Sequence, residues 1–482
     1  MLEAIAHQQL KHLLQRDRSA WPHHLTLSRL VGRGLRRGDR ALIQLAPGSQ
    51  EHWWLGVLVP LCLQSRRAIL VLEEPLQRRF LQVERPRLLD AGLKLACWTA
   101  ETPPQGHQLW VLSTAGVVRA HQRGLLQADH QLIIPEAERF NQRLREALSI
   151  GIGPSDWEQL RQAHPCADAA LLELHERLSR RLFAQAPRAD AQVRLDDSAL
   201  VALRDLIGLL GPLPTPWPEL MATDTKQWVS WAALDHQLLQ WRWHLDVLEP
   251  LQQLQKLLQT HPFLMLSTNG QAEPLQQDLA DADLNLDVVV HLRESSLLEP
   301  VPLFAPRRQP LPNTEIYSHH LLDQARRLIL GRAGLTVVLL DDEAMRQRLA
   351  SELAGEFGSR VIHQTTGPEA NGVICCSWHW WLHHQDQLPL PEQLIVALLP
   401  LASLESPLTA ARVEALKRQG RDWFRELLLP EALAQLPAAV APLRRSGGRL
   451  AILDGRVRSR SWGEQILATL QPWTPLQRLL PQ

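Results

Sequence analysis

The chain has 482 residues, more than one hydrophobic core usually supports, so two or three domains are expected. It carries 51 Lys and Arg and 51 Asp and Glu, and this zero net charge argues against a protein that coats nucleic acid by bulk attraction. A run of about 18 apolar residues is absent, so neither a membrane span nor a membrane partner is expected. Five scattered cysteines favour the reduced cytoplasm as the location.

Short apolar runs that alternate with helical patterns form a first block. The runs lie at residues 41–45, 68–72, 109–112, 132–134 and 263–266. Runs of this length, apolar on both faces, are typical of buried strands in a parallel sheet covered by helices. We therefore predict a first α/β domain at residues 1–138, completed by about residues 257–272.

Residues 139–256 show no strand pattern and predict an all-helical insertion. One helical face carries four leucines, Leu171, Leu174, Leu178 and Leu182. Four tryptophans follow in a second stretch that is also predicted to be helical, where core packing is their expected role: Trp228, Trp231, Trp241 and Trp243.

A second block repeats the alternation of strands and helices. Its apolar runs lie at residues 288–290, 335–340, 360–362, 372–374, 394–399 and 450–453. The repeated alternation predicts a second α/β domain at residues 273–482. The fold class is thus α/β, with two doubly wound parallel-sheet domains and an all-helical insertion.

The C-terminal region carries motifs in a specific order. They are Gln393-Leu-Ile-Val-Ala-Leu-Leu-Pro400, Pro407-Leu-Thr-Ala-Ala-Arg412, Leu429-Pro-Glu-Ala432, Leu453-Asp-Gly-Arg456 and Ser461-Trp-Gly463. This order and spacing resemble the second motor domain of the DinG/XPD-type superfamily 2 DNA helicases. The resemblance implies two RecA-like domains, with an arch-like insertion in the first and nucleotide and DNA chemistry at the interdomain cleft.

The loop that should bind phosphate departs from the family's pattern. A P-loop needs glycines whose backbone N–H groups wrap phosphates, a lysine for their charge, and a hydroxyl for magnesium. By position the loop is residues 46–54, which offer Gly48 and Ser49 but also Glu51, whose charge repels phosphate. No lysine occurs from residue 12 to 93, and losing a charge-assisted contact costs about 1.5–3 kcal/mol. Tight ATP binding is not expected.

The family's Asp-Glu-Ala-His motif is also altered. Its counterpart is Pro135-Glu136-Ala137-Glu138, in which Pro135 has no carboxylate for the metal. We interpret Glu136 as a remnant that has lost its metal partner. The motif that couples hydrolysis to movement is better preserved, as Ser267-Thr268-Asn269-Gly270.

The arginine-finger motif of the family aligns with residues 438–445. Ala438 replaces its glutamine and Pro442 its first arginine, so only Arg445 remains. Such fingers contribute roughly 10³–10⁵ in rate, which proline cannot replace. The vestigial nucleotide site then consists of Gly48, Ser49, Glu136, Ser267, Thr268 and Arg445, with Glu136 and Arg445 as the catalytic remnants.

No cofactor is expected, and ATP with Mg²⁺ would bind only if this site still functions. The iron–sulfur cluster of many family members needs four cysteines between the first two motifs, where only Cys62 and Cys97 occur. His379 and His383 have the spacing of a metal-binding pair but lack a third ligand, so no metal is expected.

Two further groups of charged residues have alternative interpretations. Four arginines in and after the stretch 32–38 fit a helix end and turn, or alternatively a patch that contacts nucleic-acid phosphates: Arg33, Arg36, Arg37 and Arg40. Asp454 and Arg456 match the family's closing motif, and we expect a structural salt bridge there.

The sequence leaves three functions open. The first is a non-hydrolysing DinG/XPD-type helicase homologue that binds single-stranded DNA or a DNA-repair or replication protein. The second is an active ATP-dependent DNA helicase whose site is rebuilt from residues such as Glu136 and Arg445. The third is a structural or regulatory scaffold without nucleic-acid binding, which the neutral charge and sparse lysines favour.

Overall fold

The computed structural model describes residues 2–17, 21–46, 49, 52–102, 108–185, 191–224, 226–268, 273–292 and 298–476. The strands of these residues are β1 (Ala41–Leu45), β2 (Ala68–Val71), β3 (Cys97–Trp98), β4 (Leu109–Leu112), β5 (Gln131–Pro135), β6 (Ile150–Ile152), β7 (Gln192–Arg194), β8 (Trp228–Asp235), β9 (Gln240–Val247), β10 (Phe263–Ser267), β11 (Val288–Leu292), β12 (Val301–Phe304), β13 (Thr336–Leu339), β14 (Val361–His363), β15 (Val373–Cys376), β16 (Gln393–Val396), β17 (Arg449–Ile452) and β18 (Trp473–Pro475).

The α-helices of the same residues are α1 (Leu2–Asp17), α2 (His24–Arg37), α3 (Trp53–Leu63), α4 (Glu74–Arg79), α5 (Arg85–Asp90), α6 (Thr114–Gln122), α7 (Phe140–Leu148), α8 (Pro154–Ala163), α9 (Asp168–Phe183), α10 (Asp197–Leu209), α11 (Trp217–Met221), α12 (Pro250–Gln253), α13 (Gln255–Thr260), α14 (Glu273–Asp281), α15 (Tyr317–Leu330), α16 (Glu343–Phe357), α17 (Trp378–His384), α18 (Pro407–Arg418), α19 (Leu429–Ser446), α20 (Arg456–Ser459) and α21 (Gly463–Thr469). Within this described part of the chain, none of the helices is long and apolar enough to cross a membrane.

The first domain is built on a parallel sheet. In the described residues its strand order is β11-β1-β10-β5-β2-β4-β3, and β1, β2, β4, β5 and β10 are buried along their whole length. Helices α1, α2 and α3 cover one face, and α6, α7, α12, α13 and α14 cover the other. Apolar residues on both faces of the strands require this double cover, as the sequence predicts.

The second domain repeats the same design. Its parallel sheet, with the order β14-β15-β13-β16-β17-β12-β18 in the described residues, has a buried core on each face. The predicted fold class of two RecA-like parallel-sheet domains is therefore confirmed.

Strand β11 corrects the predicted division between the two blocks. Residues 288–290 were expected in the second domain, but β11 pairs with β1, with Ala41 opposite Val288. A short apolar run shows that a strand forms but does not determine which sheet it joins. Since residues 293–297 lie outside the described part, we propose that the second domain begins after Leu292 instead of at residue 273.

The insertion is not all-helical, which corrects the second prediction. It contains an antiparallel sheet with the order β6-β9-β8-β7, and the four tryptophans lie on β8 and β9. Strand β9 alternates exposed and buried residues, and Trp241, Trp243 and Leu245 all enter the core. This period of two in β9 is a strand signal.

The insertion is also shorter than predicted. Helices α7, α12 and α13 contribute Phe140, Leu144 and Leu257, among others, to the core of the first domain. We therefore propose that the insertion spans residues 150–247, from β6 to β9.

The insertion contacts the second domain as well as the first. The guanidinium of Arg194 on β7 lies 3.1 Å from the carboxylate of Glu414 on α18. The hydroxyl of Ser406, just before α18, donates to Gln192 at 3.3 Å. These contacts attach the end of the insertion sheet to the second domain.

Replacement of Trp243 tests the insertion sheet. Its side chain is fully buried and its indole N–H donates to Ser230 Oγ at 2.6 Å. Trp243→Ala should cost about 3–5 kcal/mol in local stability, because it leaves a cavity. Limited proteolysis should then cut the insertion faster, while Leu209→Ala, at an 84% exposed position, should leave the rate unchanged. Equal cleavage rates for both variants would contradict the burial of Trp243 in the insertion sheet.

Candidate functional site

Parallel pairing brings the predicted nucleotide motifs to one edge of the first sheet. Strand β10 lies between β1 and β5, with Leu266 beside both Ile43 and Pro135. The segments that follow these three strands therefore meet where their carboxyl ends lie, the usual ligand-binding edge of open α/β sheets.

The loop after β1 is only partly described. Gly48 and Glu51 lie outside the described residues, and Ser49 is buried. The Ser49 hydroxyl donates to the backbone oxygen of Ala46 at 2.6 Å, so it is engaged within its own turn.

Aromatic side chains cluster near the start of α3. Trp53 and Trp54, at the start of α3, are buried and stack with their ring centres 4.1 Å apart. Trp21 packs edge-on against His24 and stacks on His52. Burial, together with nearby His52, lowers the pKa of His24 to about 4, so this ring is neutral at physiological pH. A cation beside this cluster, Arg79, lies 5.9 Å from the centre of the Trp54 ring and is already paired with Glu84 at 3.2 Å.

Glu136 is held by an arginine of its own domain. The residue directly follows β5 and has a left-handed backbone (φ 49°), a conformation that costs a non-glycine residue about 1–2 kcal/mol. Its carboxylate forms an ion pair with Arg143 of α7, and the two side chains are 23% and 13% exposed. Burial opposes ionisation, but the guanidiniums of Arg143 and Arg139 outweigh it and hold the pKa of Glu136 below its usual value.

Glu138 links the end of β5 to the end of β10. The backbone N–H and the hydroxyl of Thr268 donate to its carboxylate, at 3.2 Å and 2.9 Å. Burial, followed by the charge of Glu136, raises the pKa of Glu138. Ser267 is fully buried, and its hydroxyl has no hydrogen-bond partner in the described part of the chain. The two predicted motifs thus contact each other through Glu138, to which the sequence analysis assigns no role.

The finger motif lies on α19 of the second domain. Pro442 is buried inside this helix, and the guanidinium of Arg444 donates to the backbone oxygens of Glu299 and Pro472. Arg445 is 47% exposed and lies 3.6 Å from Asp386 of the same domain. Arg444 therefore has a structural role, and Arg445 is the remaining candidate finger.

The four arginines of the predicted patch have two different environments. Arg36 forms an ion pair with Glu3 at 2.8 Å, and Arg40 donates to the backbone oxygen of Gln259 at 2.9 Å. Arg33 and Arg37 point into solvent from α2. The patch is therefore not one uniform surface.

A cavity of about 130 Å³ lies where the two domains meet. The first domain contributes Glu249, Asp278 and Asp281 to its lining, and the second domain contributes Arg412 and Arg421. Because these groups come from segments far apart in the chain, no local sequence pattern indicates them.

An ion pair crosses this junction. Arg421 Nη1 of the second domain lies 2.7 Å from Asp281 Oδ2 of the first. Arg412 pairs with Glu431 at 2.7 Å, and the charge of Arg412 also acts on Asp278 and Glu249. Burial raises the pKa of Asp278 to about 6 despite a hydrogen bond from Asn141 at 2.8 Å.

The closing motif has the structural role that the sequence predicts. Asp454, at the end of β17, is fully buried and pairs with Arg456 at 2.6 Å. The backbone N–H of Leu399 also donates to this carboxylate, at 3.0 Å.

The cysteines and histidines give no described metal site. Burial raises the pKa of the Cys62 thiol to about 12 and also raises that of Cys97, which disfavours the thiolate that metals bind. His379 and His383 stack on α17, but no group of three or more potential ligands occurs in the part of the chain that the structure describes.

Comparison with known proteins places this architecture in a recognisable class. No family model matches the chain. Over 179 residues, 34% of the chain, it is 28% identical to the ATP-dependent DNA helicase YoaA of Escherichia coli (strain K12). Over 128 residues it is 27% identical to the YoaA helicase of Haemophilus influenzae. The matched segments span only 28% and 20% of those two proteins.

Solved structures match over nearly the whole chain. An XPD helicase aligns with a TM-score of 0.66 and 9% identity over 95% of this chain and 99% of its own. An apo XPD structure aligns with a TM-score of 0.62 and 11% identity over 94% of this chain and 100% of its own. Xpd4 of S. tokodaii aligns with a TM-score of 0.62 and 12% identity over 92% of this chain and 98% of its own.

Two RecA-like domains, with an insertion in the first, give the chain a helicase-like fold. Within that class the chain has the DinG/XPD-type fold, which confirms the resemblance noted in its C-terminal motifs.

The pair Glu136–Arg143 has a testable electrostatic signature. The lowered pKa of Glu136 means that the pair stabilises the fold above the unfolded value near 4.5, and that this stability is lost as pH falls through the folded pKa. Arg143→Gln leaves only the charge of Arg139 to offset the burial of the carboxylate, so we expect a loss of about 1–3 kcal/mol at neutral pH that shrinks on acidification. Chemical denaturation across this pH range measures both effects.

The double variant Glu136→Gln with Arg143→Gln is the matched control, because it removes both charges and leaves no unpaired ion. It should be more stable than Arg143→Gln alone at neutral pH. An Arg143→Gln variant with the same stability and pH profile as the parent protein would contradict the ion pair.

Asp278 should impose the opposite pH dependence. Because its folded pKa, about 6, exceeds the ordinary value of 3.8, stability should decline as pH rises between these values. Asp278→Asn should remove that decline in denaturation experiments. Asp129→Asn, at a 54% exposed side chain, is the control and should preserve it. If the decline of stability with pH persists unchanged in Asp278→Asn, the burial of this carboxylate is refuted.

Proposed function

We propose that this chain is a non-hydrolysing helicase homologue of the DinG/XPD type that binds single-stranded nucleic acid. Binding would use the groove between the two RecA-like domains, and a DNA-repair or replication protein is the alternative partner. As part of this proposal we assign the protein to the cytoplasm.

The ion pair between Glu136 and Arg143 is the observation that carries this proposal. A hydrolytic site needs this carboxylate to orient water beside a metal ion. Here the carboxylate is neutralised by a guanidinium of the same domain, and the preceding residue, Pro135, cannot ligate magnesium.

Losses elsewhere in the site support the same conclusion. The lysine that should hold the β- and γ-phosphates has no counterpart between residues 12 and 93. On the second domain, Pro442 occupies the position of the first finger arginine and is buried in α19. Loss on both sides of the cleft removes charge stabilisation of both the bound and the reacting phosphate.

An active ATPase with a rebuilt site is the second candidate. The observation in its favour is the pair Arg139 and Arg143, two guanidiniums beside Glu136 that could attract phosphate. The scaffold function without nucleic-acid binding is favoured by the zero net charge.

Nucleotide and DNA binding separate these functions. Calorimetry with ATP and magnesium should show no saturable heat up to millimolar nucleotide, because cationic and metal-holding groups are missing. Labelled single-stranded DNA should bind in the micromolar range at low salt, and Glu136→Gln should bind it equally well.

Two results would reject the proposal in different directions. DNA-stimulated phosphate release that disappears in Glu136→Gln would establish the active helicase. Absence of both nucleotide and single-stranded DNA binding would instead leave the scaffold.

A further inference from the structure

Helix α2 carries several arginines and no acidic residue to balance them. Its sequence, His-Leu-Thr-Leu-Ser-Arg-Leu-Val-Gly-Arg-Gly-Leu-Arg-Arg, contains four arginines and no acidic residue. In contrast, α4, α15 and α16 each pair an exposed arginine with a carboxylate four residues away on the same helix. The positive charge of α2 is therefore not balanced within the helix.

Three of these arginines form a row, here named the arginine stripe: Arg29, Arg33 and Arg37. All three are exposed, and their spacing of four residues places them on one face of α2. With a rise of about 1.5 Å per residue, the stripe is about 12 Å long. Within the described residues, none of the three forms an ion pair, whereas Arg36 is bound to Glu3.

The opposite face of α2 is fixed against the first domain. Leu27, Val31 and Leu35 are buried in its core. The packing against α3 is so close that a Cβ added at Gly56 would lie 2.8 Å from Leu27 Cδ2. The stripe is thus displayed on a rigid helix, which reduces the entropy lost when a ligand binds.

We propose that the arginine stripe binds the phosphate backbone of single-stranded nucleic acid, as a second contact outside the interdomain groove. This inference rests on the proposed function. Guanidinium groups bind phosphate through forked, charge-assisted hydrogen bonds. Three guanidiniums in a row can contact about three phosphates of one strand.

The chemistry of the stripe favours nucleic acid over a membrane surface. A helix that lies on anionic lipid needs large apolar side chains beside its cationic ones. The large apolar residues of α2 are half-buried or buried within the first domain, and the remaining exposed side chains beside the stripe are Thr26 and the paired Arg36.

The test compares two triple variants of the full chain that each remove three positive charges. The stripe variant is Arg29→Gln, Arg33→Gln and Arg37→Gln. The control is Arg78→Gln, Arg327→Gln and Arg348→Gln, whose arginines are exposed but paired on their own helices. Fluorescence anisotropy with a labelled oligothymidine is measured over a series of potassium chloride concentrations.

The stripe variant should bind about tenfold or more weakly at low salt, and its slope of log affinity against log salt should fall by about 2, since each single-strand phosphate contact contributes about 0.7. The control should retain the parent's affinity and slope. Unchanged thermal unfolding in both variants would show that the substituted side chains do not hold the fold together.

Failure of the stripe is distinguishable from failure of the proposed function. If the parent binds DNA and the stripe variant matches the control, the stripe proposal is overturned and the groove proposal stands. If the parent does not bind DNA, both proposals fall. Loss of binding to phosphatidylserine vesicles in the stripe variant, with DNA binding intact, would overturn the inference in favour of a membrane.

Discussion

The pairing of Glu136 with Arg143 determines the electrostatics of the whole sheet edge. A buried carboxylate must be balanced by a cation, and in a hydrolytic site the metal and its ligands contribute to that balance. In this chain the balancing charge comes from α7, seven residues further on, so the end of β5 is compensated without any ligand. Glu138 and Thr268 then join the neighbouring strand ends by hydrogen bonds.

The sheets could be predicted from the sequence because their strands are apolar on both faces. This property is local, and it survives in β1, β2, β5 and β10 even where the nucleotide motifs do not. The membership of β11 in the first sheet depends on which edge the chain returns to, which no local pattern records. The insertion sheet was missed for another reason: the alternation in β9 is present in the sequence but was not recognised as a strand signal.

The sequence predicts the candidate site only as a set of positions at which family motif residues are kept or replaced. Position along the chain identified Glu136, Ser267, Thr268 and Arg445 by their resemblance to family motifs. What replaces the lost groups was not predictable, because Arg143 reaches Glu136 only through the turn that follows β5. The junction unites Glu249, Asp278 and Arg412 from three distant segments, and their proximity becomes recognisable only in three dimensions.

The attachment of the insertion to the second domain has a mechanical consequence. A motor that cycles through ATP must let its two RecA-like halves rock against each other. Here the insertion belongs to the first half and contacts the second through the ion pair Arg194–Glu414 and the hydrogen bond Ser406–Gln192. Rocking would break these two polar contacts, so they favour the arrangement of the two halves described here.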